Sequence, residues 1–328
     1  MSTNSTGYHD TVREVYRDAA LKPAANLCCV PQAPRYMPGL NVPDIMYEMN
    51  YGCGTTVFLQ DMKADQTLLY VGVGGGLEAL QLAYFARRPG GVVAVDPVEE
   101  MREAARKNLE LAAETNDWFD PSFVTILDGD ALDLPVEDNT IDFAAQNCLF
   151  NIFKTDGDLE KALSEMHRVL ANNGRLVMSD PITPRPIPEH LVKDEELRAA
   201  CISGCLMLDD YLEVMVRAGF GAIEVRSRKP YRMLDKESYG IDQDLLLETI
   251  EVACFKTPVL DDGPCIFTGR SAVYTGPEET FNDGKGHLLH QNLPQPVCDK
   301  TAGALEALGR DDLLLTDSTW FYDGGGCC

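Results

Sequence analysis

The stretch Leu68 to Gly76, LLYVGVGGG, runs from an apolar strand straight into glycines, and LEALQLAYFARR follows it with helical periodicity. Strand, glycine turn and helix in that order are the opening of a nucleotide-binding βαβ unit. Gly72, Gly74 and Gly76 let the main chain turn tightly and approach a ligand closely. A second buried strand, GVVAVDP from Gly91 to Pro97, ends in Asp96, 20 residues beyond Gly76. A carboxylate at that place can accept hydrogen bonds from both hydroxyls of a ribose. Asp96 also precedes the helical stretch PVEEMREAARKNLELAAE and could cap it; the glycines upstream favour the ribose.

The alternation then continues. TILDGDALDLP, Thr125 to Pro135, gives a third strand ending in Asp130, and IDFAAQNCLFNI, Ile141 to Ile152, a fourth. ALSEMHRVLANNGRLVMSDP, Ala162 to Pro181, reads as a helix, an Asn-Asn-Gly turn suited to a helix C-terminus, and a fifth strand. Five strands alternating with helices predict an α/β fold. Its sheet is mainly parallel and flanked by helices, and its ligand lies at the carboxyl ends of the strands.

Residues 66 to 181 resemble a class I S-adenosylmethionine-dependent methyltransferase with a Rossmann-like fold. The glycine loop, the acidic end of the second strand, GDALDLP and RVLANNGRLVMSD match that pattern in order, and the last two do not belong to a dehydrogenase. The resemblance implies S-adenosylmethionine as cofactor. It assigns Gly72, Gly74 and Gly76 to the methionine and ribose part, Asp96 to the ribose, Asp130 with Ala131 to the adenine, and Asn147 with Cys148 to the site mouth. One position departs: such enzymes carry an acid two residues before the first glycine, where this chain has Tyr70. The methionine amino group must find its partner elsewhere.

The cysteines bear on the methyl acceptor. With 328 residues, 45% hydrophobic and 24% charged, the chain can bury a core spanning two domains, or one domain and an appendage. Its net charge of -24 opposes nucleic-acid binding. No apolar run approaches a bilayer span and MSTNSTGYHD lacks the pattern of a secretory signal, so a cytoplasmic location, away from membranes, is expected. In that reducing compartment the eleven cysteines stay thiols. None has a CxxC zinc spacing, and HLLH, His287 to His290, could put two rings on one helix face but reads better as surface. Most of the thiols lie in segments flanking the cofactor domain: NLCCVP, YGCG, ACISGCL and DDGPCIFTGRSAVYTG. In YGCG the glycines imply an uncovered sulfur, although a turn that tucks Cys53 inward fits equally.

From about residue 10 to about residue 276 these segments resemble arsenite methyltransferases. The matches are VREVYRDA followed by a cysteine pair, YGCG, NCLFNI, CISG, and GPC ahead of a strand reading AVY. The resemblance implies Cys53, Cys201 and Cys265 as ligands of trivalent arsenic, with Cys28 or Cys29 in support. Soft arsenic prefers thiolates, and three sulfurs leave its lone pair free to attack the sulfonium methyl with no general base. Partners would be arsenite and thiol-bound arsenicals. Because methylation formally oxidises arsenic, Cys28, Cys29 and Cys53 could return two electrons as a disulfide that thioredoxin or glutathione reduces. Cys205, Cys254 and Cys298 read as structural. Other readings are a C- or O-methyltransferase of a lipid or quinone-like substrate, and a thiol-rich protein that sequesters soft metals. The expected organisation is a cysteine-bearing lid at 1–62, the cofactor domain at 63–182, an arsenic-binding region at 183–278, and a tail at 279–328 whose GGGCC end could relay arsenite or stand idle.

Overall fold

The computed structural model describes residues 6–24, 27, 36–153 and 156–322. Cys28, Cys29, Cys327 and Cys328 lie outside them. After helices α1 (Thr6–Leu21) and α2 (Asp44–Glu48), the predicted alternation follows as β1 (Leu68–Val71), α3 (Leu77–Ala86), β2 (Val92–Asp96), α4 (Glu99–Thr115), β3 (Val124–Asp128), β4 (Ile141–Asn147), α5 (Asp156–Val169) and β5 (Leu170–Ile182). Every residue of β1 is buried, as expected of a strand covered on both faces. In α4 the buried side chains Met101, Ala105, Asn108, Leu109 and Ala112 recur at helical spacing and form the stripe that packs on the sheet. The Asn-Asn-Gly turn falls inside β5, with Asn173 left-handed at φ 64°. There the pairing with β4 slips register between Ile141 and Phe143.

The sheet does not stop at β5. Helices α6 (Glu189–Val192), α7 (Glu195–Ala199) and α8 (Leu208–Arg217) lead into β6 (Ala222–Leu234), and α9 (Lys236–Tyr239) leads into β7 (Leu245–Phe255). β7 lies antiparallel between β5 and β6, and β8 (Cys265–Phe267) adds to β6, giving the order β3-β2-β1-β4-β5-β7-β6-β8. The expected boundary at residue 182 therefore falls within one sheet, because β7 of the following region pairs directly with β5 and carries β6 and β8 beyond it. The stretch expected as a tail is also folded as far as it is described. β9 (Arg270–Tyr274) pairs with β12 (Gln295–Val297) and β13 (Leu313–Leu315), next to the hairpin of β10 (Thr280–Asn282) and β11 (Leu288–His290) and helix α10 (Asp299–Glu306). HLLH is thus strand rather than helix, and His287 meets Asp283. Among the described residues no helix is long and apolar enough to cross a membrane.

A buried ion network ties the segment before β1 to the far strands. Asp61 has no exposed surface; Arg226 of β6 approaches both its oxygens and Arg175 of β5 donates to Oδ1 at 3.0 Å. Arg226 also bonds Glu224 at 2.9 Å and stacks over Phe58 at 4.9 Å. Removing the central acid would leave two guanidinium groups short of a counter-charge in the interior. Asp61→Ala should therefore destabilise the fold by about 3–5 kcal/mol. Urea unfolding with an unchanged slope and a lower midpoint checks this; a midpoint equal to that of the unsubstituted chain would refute it.

Candidate active site

A cavity opens at the carboxyl ends of β1, β2 and β4, the place predicted for the ligand. Gly72, Gly74 and Gly76 all have positive φ, at 84°, 50° and 87°, a conformation that side chains with a Cβ resist. Gly72 and Gly74 line the cavity; Gly76 lies just behind, starting α3. A Cβ on the neighbouring Gly75 would stand 2.6 Å from Met49, so the loop can be no bulkier there.

Asp96 ties the glycine loop to the approach of α4. Its Oδ2 accepts from the Val73 amide in the glycine loop at 2.9 Å, and its Oδ1 from the Val98 amide at the head of α4 at 2.9 Å. Asp96 also lines the cavity, and a carboxylate's acceptor capacity exceeds these two bonds. Burial raises its pKa to about 6. Asp130 and Ala131 lie on the same wall; Asp130 accepts from the Leu132 amide at 3.0 Å and meets Arg13 of α1 at 3.4 Å. Carboxylates that can accept from hydroxyls, with Val98 and Met101 as apolar lining of the same cavity, fit the nucleoside of S-adenosylmethionine.

Asn147 and Cys148 also line this cavity, and they connect it to the thiol segment. The Asn147 side chain accepts from the Cys53 amide at 2.9 Å and donates to the Gly54 carbonyl at 2.9 Å. The glycines of YGCG follow from that clasp. A Cβ on Gly52 would lie 2.3 Å from the Asn147 amide nitrogen, and one on Gly54 would lie 2.3 Å from Ser179 Oγ. Glycine here permits close approach rather than exposure, because Cys53 is wholly buried. Its sulfur sits 3.4 Å from the Ser179 hydroxyl of β5 and 3.5 Å from that of Thr249 in β7. The reading in which the turn tucks the cysteine inward is the one realised.

Two further cysteines gather around the same residues. The Cys148 amide donates to the Ser179 carbonyl at 2.7 Å, and Cys201 Sγ donates to the Cys148 carbonyl at 2.8 Å. Both cysteines hold the left-handed conformation, with φ of 60° and 56°. Cys205 Sγ in turn reaches the Cys201 carbonyl at 3.3 Å. Cys265 does not join them. It lies on β8 opposite Ala222, whose partner Phe255 faces Arg175 of β5, four residues before Ser179. Thr249, beside Cys53, is six residues along β7 from Phe255, roughly 20 Å at the rise of an extended strand. Cys265 packs instead with Phe267, Cys298 and Tyr322. The expected grouping of Cys53, Cys201 and Cys265 is therefore corrected: the GPC match marks a packing cysteine, and among the described residues no preformed cluster of three metal-ligating side chains is found.

Several residues of the site carried no sequence signal. Asp180, at the end of β5, is fully buried and accepts from the Tyr211 hydroxyl at 2.7 Å and from the Gln146 amide. Burial pushes its pKa up to about 8, far above the roughly 3.9 of an exposed aspartate. Between those values the folded chain holds a proton that the unfolded chain releases, so stability falls as pH rises through that window. Asp180→Asn removes this dependence. Across pH 5 to 8 the unfolding midpoint of the unsubstituted chain should fall relative to that of Asp180→Asn; parallel profiles in urea titrations would contradict the assignment.

Residues 69–178 match the sequence family described as "Methyltransferase domain". The arsenite methyltransferase of Halobacterium salinarum is 28% identical over 178 residues, spanning 54% of this chain and 43% of that protein, so this match covers less than half of the relative's length. The arsenite methyltransferase of Rattus norvegicus is 26% identical over 96% of this chain and 84% of that protein. Among solved structures, an arsenic(III) S-adenosylmethionine methyltransferase from Chlamydomonas reinhardtii shares the fold with a TM-score of 0.60 at 23% identity, covering 88% of this chain and 99% of that one. The glycine loop, the sheet order and the domain match together mark the chain as an S-adenosylmethionine-dependent methyltransferase with a Rossmann-like fold, similar to arsenite methyltransferases.

Proposed function

We propose that the chain methylates trivalent arsenic held by the thiolates of Cys53, Cys148 and Cys201. The observation that carries this reading is a chain of contacts beside a cavity that Cys148 lines: Cys53 Sγ lies 3.4 Å from the Ser179 hydroxyl, the Cys148 amide donates to the Ser179 carbonyl, and Cys201 Sγ donates to the Cys148 carbonyl, so that loading has only to bring neighbouring sulfurs together. Cys148 takes the place the sequence suggested for Cys265. The arsenite relatives favour the same acceptor.

The chemistry suits those groups. Each As–O bond of arsenous acid is exchanged for an As–S bond, the thiol proton leaving with the hydroxyl as water, and three exchanges yield a neutral tris-thiolate. Soft sulfur ligands favour this exchange. Cys53 and Cys201 have no exposed surface, so loading requires the segment from Tyr51 to Thr56 to lift from Asn147. Bound S-adenosylmethionine supplies an electrophilic methyl, which the lone pair left on arsenic accepts without a general base. The residues of the chain orient the arsenic and exclude water, and such positioning contributes about 7–11 kcal/mol in well-oriented systems.

The transfer leaves arsenic formally pentavalent. Two thiols of the chain close a disulfide; their two electrons return arsenic to the trivalent state as one As–S bond breaks, the released sulfur takes up one of the two protons and solvent the other, and methylarsenic stays on two thiolates until a dithiol such as thioredoxin, or glutathione, reopens the disulfide. Cys28 and Cys29 are assigned to this step with Cys53; replacing both with Ser should leave a single turnover intact and abolish multiple turnover with thioredoxin. Unchanged multiple turnover would refute that role.

For the ligand set, Cys→Ser at 53, 148 or 201 should each lower arsenite methylation on the order of 100-fold, the size of effect that loss of positioning produces. Cys265→Ser should stay within about twofold, since Cys265 lies at the other end of the sheet. Separation of arsenic species after incubation with arsenite, thiol and S-adenosylmethionine reads both. Full activity in the Cys148→Ser variant, or its loss in Cys265→Ser, would overturn the assignment.

A further inference from the structure

The cavity contains a third carboxylate that neither the ribose nor the adenine assignment uses. Glu78, on the first turn of α3, lines the glycine end of the cavity and is only 7% exposed. Its Oε1 accepts from the amide and the hydroxyl of Thr56 at 3.1 and 2.7 Å, and its Oε2 accepts from the Tyr70 hydroxyl. Asn147 lends it a further hydrogen bond. A buried carboxylate this well supplied with donors is held in one orientation, and it still lacks a positive partner among them.

S-adenosylmethionine brings such a partner. Its amino acid end carries an ammonium, and a cation entering a water-poor cavity needs an opposite charge there. Of the carboxylates on the cavity wall, Asp96 is tied to Val73 and Val98 on the ribose side, and Asp130 meets Arg13 on the adenine side. Glu78 stands at the glycine loop, close to the strand residue Tyr70 that leaves the ammonium without an acid of its own. We propose that Glu78, oriented by Tyr70 and Thr56, binds the ammonium group of the cofactor. Since Thr56 follows Cys53 by three residues, the same carboxylate fastens the thiol-bearing segment to the cofactor's methionine end. Cofactor occupancy and the placement of Cys53 are thereby joined in one side chain.

The proposal rests on the cofactor and not on the identity of the acceptor, and calorimetric titration without arsenic tests it. S-adenosylhomocysteine carries the ammonium; 5′-methylthioadenosine has the same nucleoside and thioether without it. Glu78→Gln keeps the shape and the acceptor oxygen for Thr56 but removes the charge. It should weaken S-adenosylhomocysteine about 10- to 100-fold, the range of one charge-assisted hydrogen bond, while 5′-methylthioadenosine changes less than about twofold. Equal losses for both ligands, or none for either, would overturn the proposal. The unsubstituted chain offers a second test that no folding defect can obscure. The deaminated 2-oxo analogue of S-adenosylhomocysteine should bind at least about tenfold more weakly than its parent. Equal binding of the two would overturn the role of Glu78, and failure to bind any of the three ligands would overturn it together with the cofactor assignment.

Discussion

The amide of Asn147 is the contact on which the site depends. By accepting from the Cys53 amide and donating to the Gly54 carbonyl, it lays an irregular segment across the carboxyl edge of the sheet as if it were another strand. An unpaired backbone amide and carbonyl in this buried place would cost several kcal/mol, and the clasp satisfies one of each. It also explains why the sulfur can be buried without being lost to chemistry. The flanking glycines bring the main chain against Asn147 and Ser179, and the thiol is delivered to the hydroxyl pair of Ser179 and Thr249.

From that clasp, two sides of the molecule meet. On one side the glycine loop, Asp96 and Asp130 line one cavity. On the other, Cys53 and Cys148 meet Ser179, and Cys201 meets Cys148. Cys148 belongs to both, since its side chain borders the cavity and its carbonyl receives the Cys201 thiol. Two left-handed cysteines are an unusual expense for a fold, and each turns the main chain just after a regular element, Cys148 after β4 and Cys201 after α7. Buried acids complete the setting. Asp180 and Glu78 are kept from water by Tyr211 and Tyr70, whose hydroxyls supply the hydrogen bonds that water would otherwise provide.

Much of this was legible in the sequence. The run from Leu68 to Asp96 predicts its own strands, loop and helix because local hydrophobic period and glycine placement determine them. Asp96, Asp130 and Asn147 line one cavity at the carboxyl ends of the strands. The strands beyond residue 182 were not legible as part of the same sheet, because antiparallel pairing of β7 between β5 and β6 is decided by long-range contact and leaves only an alternating pattern. Cys265 shows the same limit. GPC before AVY resembles a ligand motif, yet the position of a side chain along a sheet is set by register, which short motifs do not encode. Glu78 illustrates the converse. Nothing in LEALQ distinguishes it from a helical surface residue, and only its approach to Tyr70 and Thr56 gives it a role.

The ligand set of arsenic is the claim on which the functional account stands, and arsenic X-ray absorption of the full chain loaded with one equivalent of arsenite reads it directly. The account predicts a shell of three sulfurs in the unsubstituted chain and in Cys265→Ser, falling to two when Cys148 is replaced by Ser. Three sulfurs retained without Cys148, or one lost with Cys265, would contradict it.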